Sequence, residues 1–289
     1  MIQLENISRD LKKVIISELD RIHIFYRLFD RPKSVSSTKK KIESKGYHKD
    51  GNKLQDSIGI RIILYFPDDI PLVKKILSDL YTLNNEEEDP FDHEIFRPQR
   101  MNYVYNLNAS HTNEHQAITN SYGFDCIDPT FEIQLRTVFS EGWHEVEHDL
   151  RYKCKPDWEK APSYSRILNG IYATLETSEW SMTKLFDSLA YNNYHERNWN
   201  SMLRNKFRLR FSEEILSKKL TELLNSNPQI AKSIYKCNRN SFIQELYEDK
   251  ARIPLTFSNI VYLLNHYELN TDEIKEITPA EFFEVISTN

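Results

Sequence analysis

Phe131-Glu132-Ile133-Gln134-Leu135-Arg136-Thr137 constrains this chain more than any other stretch. Its apolar and polar residues alternate with the period of a strand that has one buried face. Phe131, Ile133 and Leu135 form the apolar side. Glu132, Gln134 and Arg136 form the other, an acid, an amide and a guanidinium in one row. Such a row is costly to bury and is useful where something charged must be held. Directly after it, Val138, Phe139, Trp143, Val146 and Leu150 keep helical spacing, with Glu147 and His148 inside and Tyr152 and Lys153 at the end. A strand that runs straight into an amphipathic helix calls for a sheet with helices packed on it, so the predicted class is α+β.

The rest of the chain supplies the other elements. Leu11, Val14, Ile15, Leu19, Ile22 and Phe25 predict one amphipathic helix over residues 4–29. Pro32 ends it. Ser34 to Ser37 provide caps for a second helix carrying Lys39, Lys40, Lys41 and Ile42. Arg31, Lys33 and Lys41 thus gather around one helix start, where free N–H groups favour anions. Residues 54–66 are a β-branched run and predict a central strand, with Asp56 at its start and Arg61 inside it. An arginine in such a run needs a partner or a ligand. Residues 72–83 predict a short helix, and 84–92 (NNEEEDPFD) an acidic loop. Strands over 103–107 and 116–124 complete a mixed sheet of four strands flanked by helices. A long helix over 164–191 closes a first domain, 1–192. After a polar junction, 193–289 reads as an all-helical extension, broken at Pro228, Pro254 and Pro279.

Composition excludes several classes. A chain of 289 residues with only 6 glycines carries no glycine-rich nucleotide loop. A net charge of −5 makes any nucleic-acid contact a local patch. Arg204, Lys206, Arg208 and Arg210, alternating with Asn205, Phe207 and Leu209, are the compact basic candidate. Cys126, Cys154 and Cys237 have neither disulfide nor metal spacing, so a reducing, cytoplasmic setting is expected. The first residues lack a signal-peptide core, and no apolar run reaches membrane-spanning length. His144-Glu145-Val146-Glu147-His148 spells the HExxH pattern of zinc proteases. Against that reading, Glu147 places a charge between the histidines. No third ligand follows at a familiar spacing, Glu159 being the one candidate.

Four blocks stand in a meaningful order: Arg31-x-Lys33-Ser34-x-x-Ser37-x-x-x-Lys41, Asp56-x-x-Gly59-Ile60-Arg61, Glu132-Ile133-Gln134-Leu135-Arg136-Thr137, and Trp143-x-x-x-Glu147-His148-x-x-x-Tyr152-Lys153. Over these residues the chain resembles the RelA/SpoT nucleotide pyrophosphokinases, which make the (p)ppGpp alarmones and, in toxic relatives, modify other targets. The resemblance implies a nucleotidyltransferase-like synthetase fold. It implies that ATP gives a pyrophosphate unit to a ribose 3′-hydroxyl. Asp56 and Glu132 would share one Mg²⁺, and Glu132 would also orient or deprotonate the hydroxyl, with Arg31 beside it. Arg31, Lys33, Ser37, Lys41 and Arg61 would hold ATP. Tyr103, Arg100, Gln134, Arg136 and His148 would hold the acceptor, by default GDP or GTP. The implied partners are these nucleotides and an antitoxin or regulatory protein, with no membrane.

One block departs from the family. Where it carries PKxNGYxSxH, this chain has Pro98-Gln99-Arg100-Met101-Asn102-Tyr103-Val104-Tyr105-Asn106-Leu107. Pro98 and Tyr103 match. Gln99, Asn102, Tyr105 and Leu107 replace the lysine, glycine, serine and histidine. Arg97 or Arg100 is then the substitute charge and Tyr103 the stacking ring. The rebuilt block also admits an adenine nucleotide or the 3′ end of tRNA as acceptor. A third reading is a binding or regulatory module that has lost activity. The retention of both Asp56 and Glu132 argues against it.

Overall fold

The computed structural model describes residues 4–90, 94–250 and 252–287. The strands are β1 Tyr26–Pro32, β2 Ile58–Leu64, β3 Leu83–Glu88, β4 Met101–Asn106 and β5 Thr130–Thr137, and they form one five-stranded sheet in the order β1-β2-β5-β4-β3. β2 and β5 run parallel at its centre, and the other neighbouring pairs are antiparallel. A strand reading IGIRIIL suits this central place, because both of its faces are covered or occupied. The helices of this part are α1 Glu5–Arg21, α2 Val35–Lys45, α3 Ile70–Leu80, α4 Ala109–Ser121, α5 Val138–Glu147, α6 Lys155–Glu159 and α7 Pro162–His195. The mixed sheet with flanking helices and a helical C-terminal region is the expected class.

β5 passes into α5 without a loop. Thr137 caps the helix by accepting from the Ser140 backbone N–H at 3.2 Å, and Ser140 Oγ accepts in return from Thr137 N at 2.9 Å. The reciprocal pair fixes the angle between strand and helix. It therefore fixes where Glu141, His144 and Glu145 stand relative to Glu132.

Register sorts the side chains into two faces, since partners directly across a ladder point the same way. Ile60, Ile62, Phe131, Ile133, Leu135, Tyr103 and Tyr105 share a buried face. Asp30 lies on that side too, held to α1 by Lys12 at 2.8 Å and Ser8 at 3.0 Å. The other face carries Phe29 and Arg31 from β1, Gly59 and Arg61 from β2, Glu132, Gln134 and Arg136 from β5, and Asn102 and Val104 from β4.

Three expectations are corrected. The helix over 4–29 ends at Arg21, and Tyr26–Pro32 is an edge strand. His23 takes a left-handed conformation (φ 56°), which stops the helix, and pairing with β2 outweighs the local helical spacing. Residues 84–88 are no loop but part of the opposite edge strand, exposed and paired with β4. Its three glutamates suit an unpaired edge, where charge discourages further strands. Phe91 and Asp92, the end of that stretch, lie outside the described residues. Residues 116–124, expected as a strand, belong mostly to α4, which Asn108 caps and which buries His115 and Thr119 one turn apart.

The chain divides into two compact units, Met1–Ser17 with Tyr26–Ser178, and Glu18–Phe25 with Glu179–Asn289. The division falls inside α7, rather than at the polar junction after residue 192, because the helix continues unbroken to His195. The second unit holds α8 Trp199–Phe207, α9 Lys218–Ser226, α10 Pro228–Lys236, α11 Arg239–Asp249, α12 Phe257–Leu264, α13 Asp272–Ile277 and α14 Ala280–Ser287. Its core includes Phe207, Phe242, Phe257 and Leu263. Among the described residues no helix is long and apolar enough to cross a membrane.

Candidate active site

Asp56 sits just before β2 and is the hub of the site. Lys33, at the end of β1, donates to both its backbone and its carboxylate, and Lys41 of α2 reaches the same oxygen, Oδ2, at 2.6 Å. The Lys33 backbone N–H donates to Ser57 O at 2.9 Å, which ties the two segments together. Burial works to raise the Asp56 pKa, but the two ammonium groups outweigh it and hold the carboxyl below its usual range. Its other oxygen, Oδ1, is buried and has no hydrogen-bond partner.

Glu132 lies across from Gly59 on the polar face. Gln134 Nε2 donates to Glu132 Oε2 at 3.0 Å. Burial, and then the charge of Asp56, push its carboxyl above the usual range. Two carboxylates that disturb each other in this way, one with an orphaned buried oxygen, are an incomplete set of hard ligands. They would suit a Mg²⁺ ion, with phosphate oxygens and water to complete its ligands. No group of three His, Cys, Asp or Glu that could hold a metal alone occurs among the described residues.

The next row along the strands is Phe29, Arg61 and Gln134. Arg61 Nε donates to Gln134 Oε1 at 3.1 Å, and its Nη1 donates to Glu141 at 2.6 Å and to Glu145. Sequence reasoning missed both glutamates. Their i, i+4 spacing on the helix that leaves β5 was the available signal. Arg136 is only 7% exposed, yet among the described residues it bonds no carboxylate. It donates to Leu135 O at 2.8 Å and to Asn102 Oδ1 at 3.2 Å. Burial and the nearby Arg61 lower its pKa, so an anion beside it would be welcome. His144 stands against these two arginines and hydrogen-bonds the Gln99 backbone. Burial first, then their charges, push it down to about 4.

This arrangement disposes of the zinc reading. Glu145 is spent on Arg61, His144 faces two guanidinium groups that would repel a dication, and His148 is tied to Asp149.

Residues 30–157 match the region found in RelA / SpoT proteins. Among solved structures, the small alarmone synthetase 1 from Bacillus subtilis is 22% identical, with a TM-score of 0.44 over 63% of this chain and 89% of that one. A GTP pyrophosphokinase family protein from Streptococcus pneumoniae is 19% identical, with a TM-score of 0.44 over 63% and 86%. The small alarmone synthetase 2 from Bacillus subtilis is 21% identical, with a TM-score of 0.44 over 64% and 93%. No curated protein matches the sequence.

Within the matched region four of the expected ATP-side residues stand near one another, while Arg61 is engaged by Glu141 and Glu145. Arg31 is exposed on the same face as Glu132, Lys33 and Lys41 flank Asp56, and Ser37 stands in the first turn of α2 with its N–H on Ser34 Oγ at 3.2 Å. The expected acceptor residues do not all join them. Gln134 and Arg136 do. Tyr103 is 1% exposed on the opposite face, level with Ile133, with Lys74 over its ring and its hydroxyl donating to Glu88 at 2.8 Å. It is therefore no stacking platform beside Glu132. β4 presents Asn102 and Val104 there instead. Arg100 is spent on Asp89, with Glu87 near, and Arg97 donates to the Pro90 carbonyl and adds its charge beside Asp89. His148 lies in the wide turn after α5, exposed, bonded to Asp149 and stacked on Tyr152. Two of the four cations in the basic patch after α7 are engaged within the fold. Arg208 is buried against Asp187, and Arg204 is paired with Glu214.

Proposed function

We propose that the protein is an ATP-dependent nucleotide pyrophosphokinase. The observation that carries this is the Asp56–Glu132 pair, ringed by Lys33, Lys41 and Arg31 inside the region that matches RelA / SpoT proteins. In the reaction a ribose 3′-hydroxyl of the acceptor attacks the β-phosphorus of ATP. The bond from that phosphorus to the α–β bridging oxygen breaks, and AMP leaves. The hydroxyl proton passes to the Glu132 carboxylate, which stands on the site face one row from Arg61 and Gln134. Lys33, Lys41, Arg31 and the start of α2 hold the triphosphate. Arg136 and Asn102 position the acceptor. A Mg²⁺ ion held by Asp56 and Glu132 would neutralise charge on the phosphates.

The first acceptor to test is a guanine nucleotide, GDP or GTP. A second reading, an adenine nucleotide or a tRNA 3′ end, is favoured by Asn102 and Val104 standing on the site face where the sequence suggested an aromatic. The test is ATP labelled at the γ position, incubated in turn with GDP, GTP, AMP, ATP and bulk tRNA. Label on one of these supports the transfer and names the acceptor. Label on none leaves the inactive, regulatory reading.

A further inference from the structure

We propose that Phe29 is the platform on which the donor nucleobase stacks. The residue is 54% exposed, on a sheet face where its neighbours across and along the strands are Arg61, Gln134 and Arg31. It makes no ring contact among the described residues. It stands directly across from Arg61 and shares its strand face with Arg31, two residues on. The groups that hold the triphosphate, Lys33, Lys41 and Asp56, lie at one end of this face. The Arg31–Gly59–Glu132 row comes next, and the Phe29–Arg61–Gln134 row lies about 7 Å beyond it, the advance of two strand residues. Gly59 leaves the floor between them open, since a Cβ there would meet nothing nearer than Arg31 O at 3.7 Å. A nucleotide lying along the face therefore brings its base to Phe29. Arg61 opposite is held still by Gln134, Glu141 and Glu145, so the wall is formed before the ligand arrives. An exposed aromatic flanked by cations is the ordinary device for gripping a base without reading it.

The inference rests on the pyrophosphokinase reading and is tested by binding rather than turnover. Two ligands are titrated calorimetrically with Mg²⁺ present: α,β-methylene ATP and inorganic tripolyphosphate, which lacks a base. Phe29→Ala and Phe29→Leu should weaken the ATP analogue by about 5- to 100-fold, the range that base–aromatic stacking carries. Phe29→Tyr should restore it. Tripolyphosphate should bind all four proteins alike, which a merely structural role for Phe29 would not allow. If wild type and Phe29→Ala bind the analogue equally, or if tripolyphosphate weakens in parallel, the platform is wrong while the reading stands. If the wild type binds neither ligand, reading and inference fall together.

Discussion

Asp56→Asn and Glu132→Gln should both abolish turnover, yet move stability in opposite directions. Asp56 accepts from Lys33 and Lys41, and the three side chains are 19%, 23% and 33% exposed. A hydrogen bond to a charged group is worth about 1.5–3 kcal/mol, and losing the charge leaves two half-buried ammonium groups without a counter-ion. Discounted for the remaining solvent, the loss should be about 2 kcal/mol. That is roughly 5 °C in Tm for a unit of this size. Glu132 is the reverse case. Its pKa is raised by burial and by Asp56, so its ionised form costs stability above that pKa. Glutamine keeps the acceptor for Gln134 and removes the charge, so Glu132→Gln should melt above wild type at pH 7. The advantage should fade as the pH falls through the raised Glu132 pKa, because the wild-type carboxyl then takes its own proton. The assay is thermal unfolding without nucleotide or divalent metal, at several pH values. Two Tm shifts of the same sign, or an Asp56→Asn protein as stable as wild type, would refute the electrostatic account.

Arg31 is exposed and carries no ion pair among the described residues, so Arg31→Ala should leave Tm unchanged while weakening ATP binding by about 10- to 100-fold, whichever acceptor is present. An effect confined to one acceptor in steady-state kinetics would move Arg31 to the other half of the site. Tyr103→Phe removes the hydroxyl that bonds Glu88, and should cost about 0.5–1.5 kcal/mol in denaturant melts with acceptor KM unchanged. A raised acceptor KM would return Tyr103 to the site. His115 is fully buried against Ser57 at 2.9 Å, and burial pushes its pKa down to about 4. The unfolded chain binds that proton at a higher pH, so stability should fall as pH drops from about 6.5 towards 4, by on the order of 2 kcal/mol at pH 5. In urea melts across that range His115→Gln should flatten the slope, and an unchanged slope would remove His115 as its source.

The parts of the fold legible in the sequence were those with local causes. β5 and α5 were readable because a period of two changes to one of 3.6 at Thr137, which caps the helix. The nearness of Lys33 and Lys41 to one helix start was readable from their block, but their pairing with Asp56 was not. What failed depended on contacts distant in sequence. β1 was hidden because its partner is β2 and because a histidine, not a glycine, takes the left-handed turn before it. α4 is largely polar and shows its helical nature only through the Asn108 cap and the burial of His115 and Thr119. The face of Tyr103 follows from its register against Ile133. A shift of one residue would have put it beside Glu132, and nothing within β4 itself decides between the two. The same register brings Asn102 to Arg136, a contact that no local pattern announces.

The central claim is that a pyrophosphate unit, not a single phosphoryl group, leaves ATP. The direct measurement uses ATP labelled at the β position, with wild-type protein, Mg²⁺ and the acceptor found in the screen, and separates AMP, ADP and the acceptor product. The account predicts that the β label leaves with the acceptor and that unlabelled AMP appears one for one with that product, with neither seen for Glu132→Gln. Labelled ADP with an unlabelled acceptor product, or full turnover by Glu132→Gln, would contradict it.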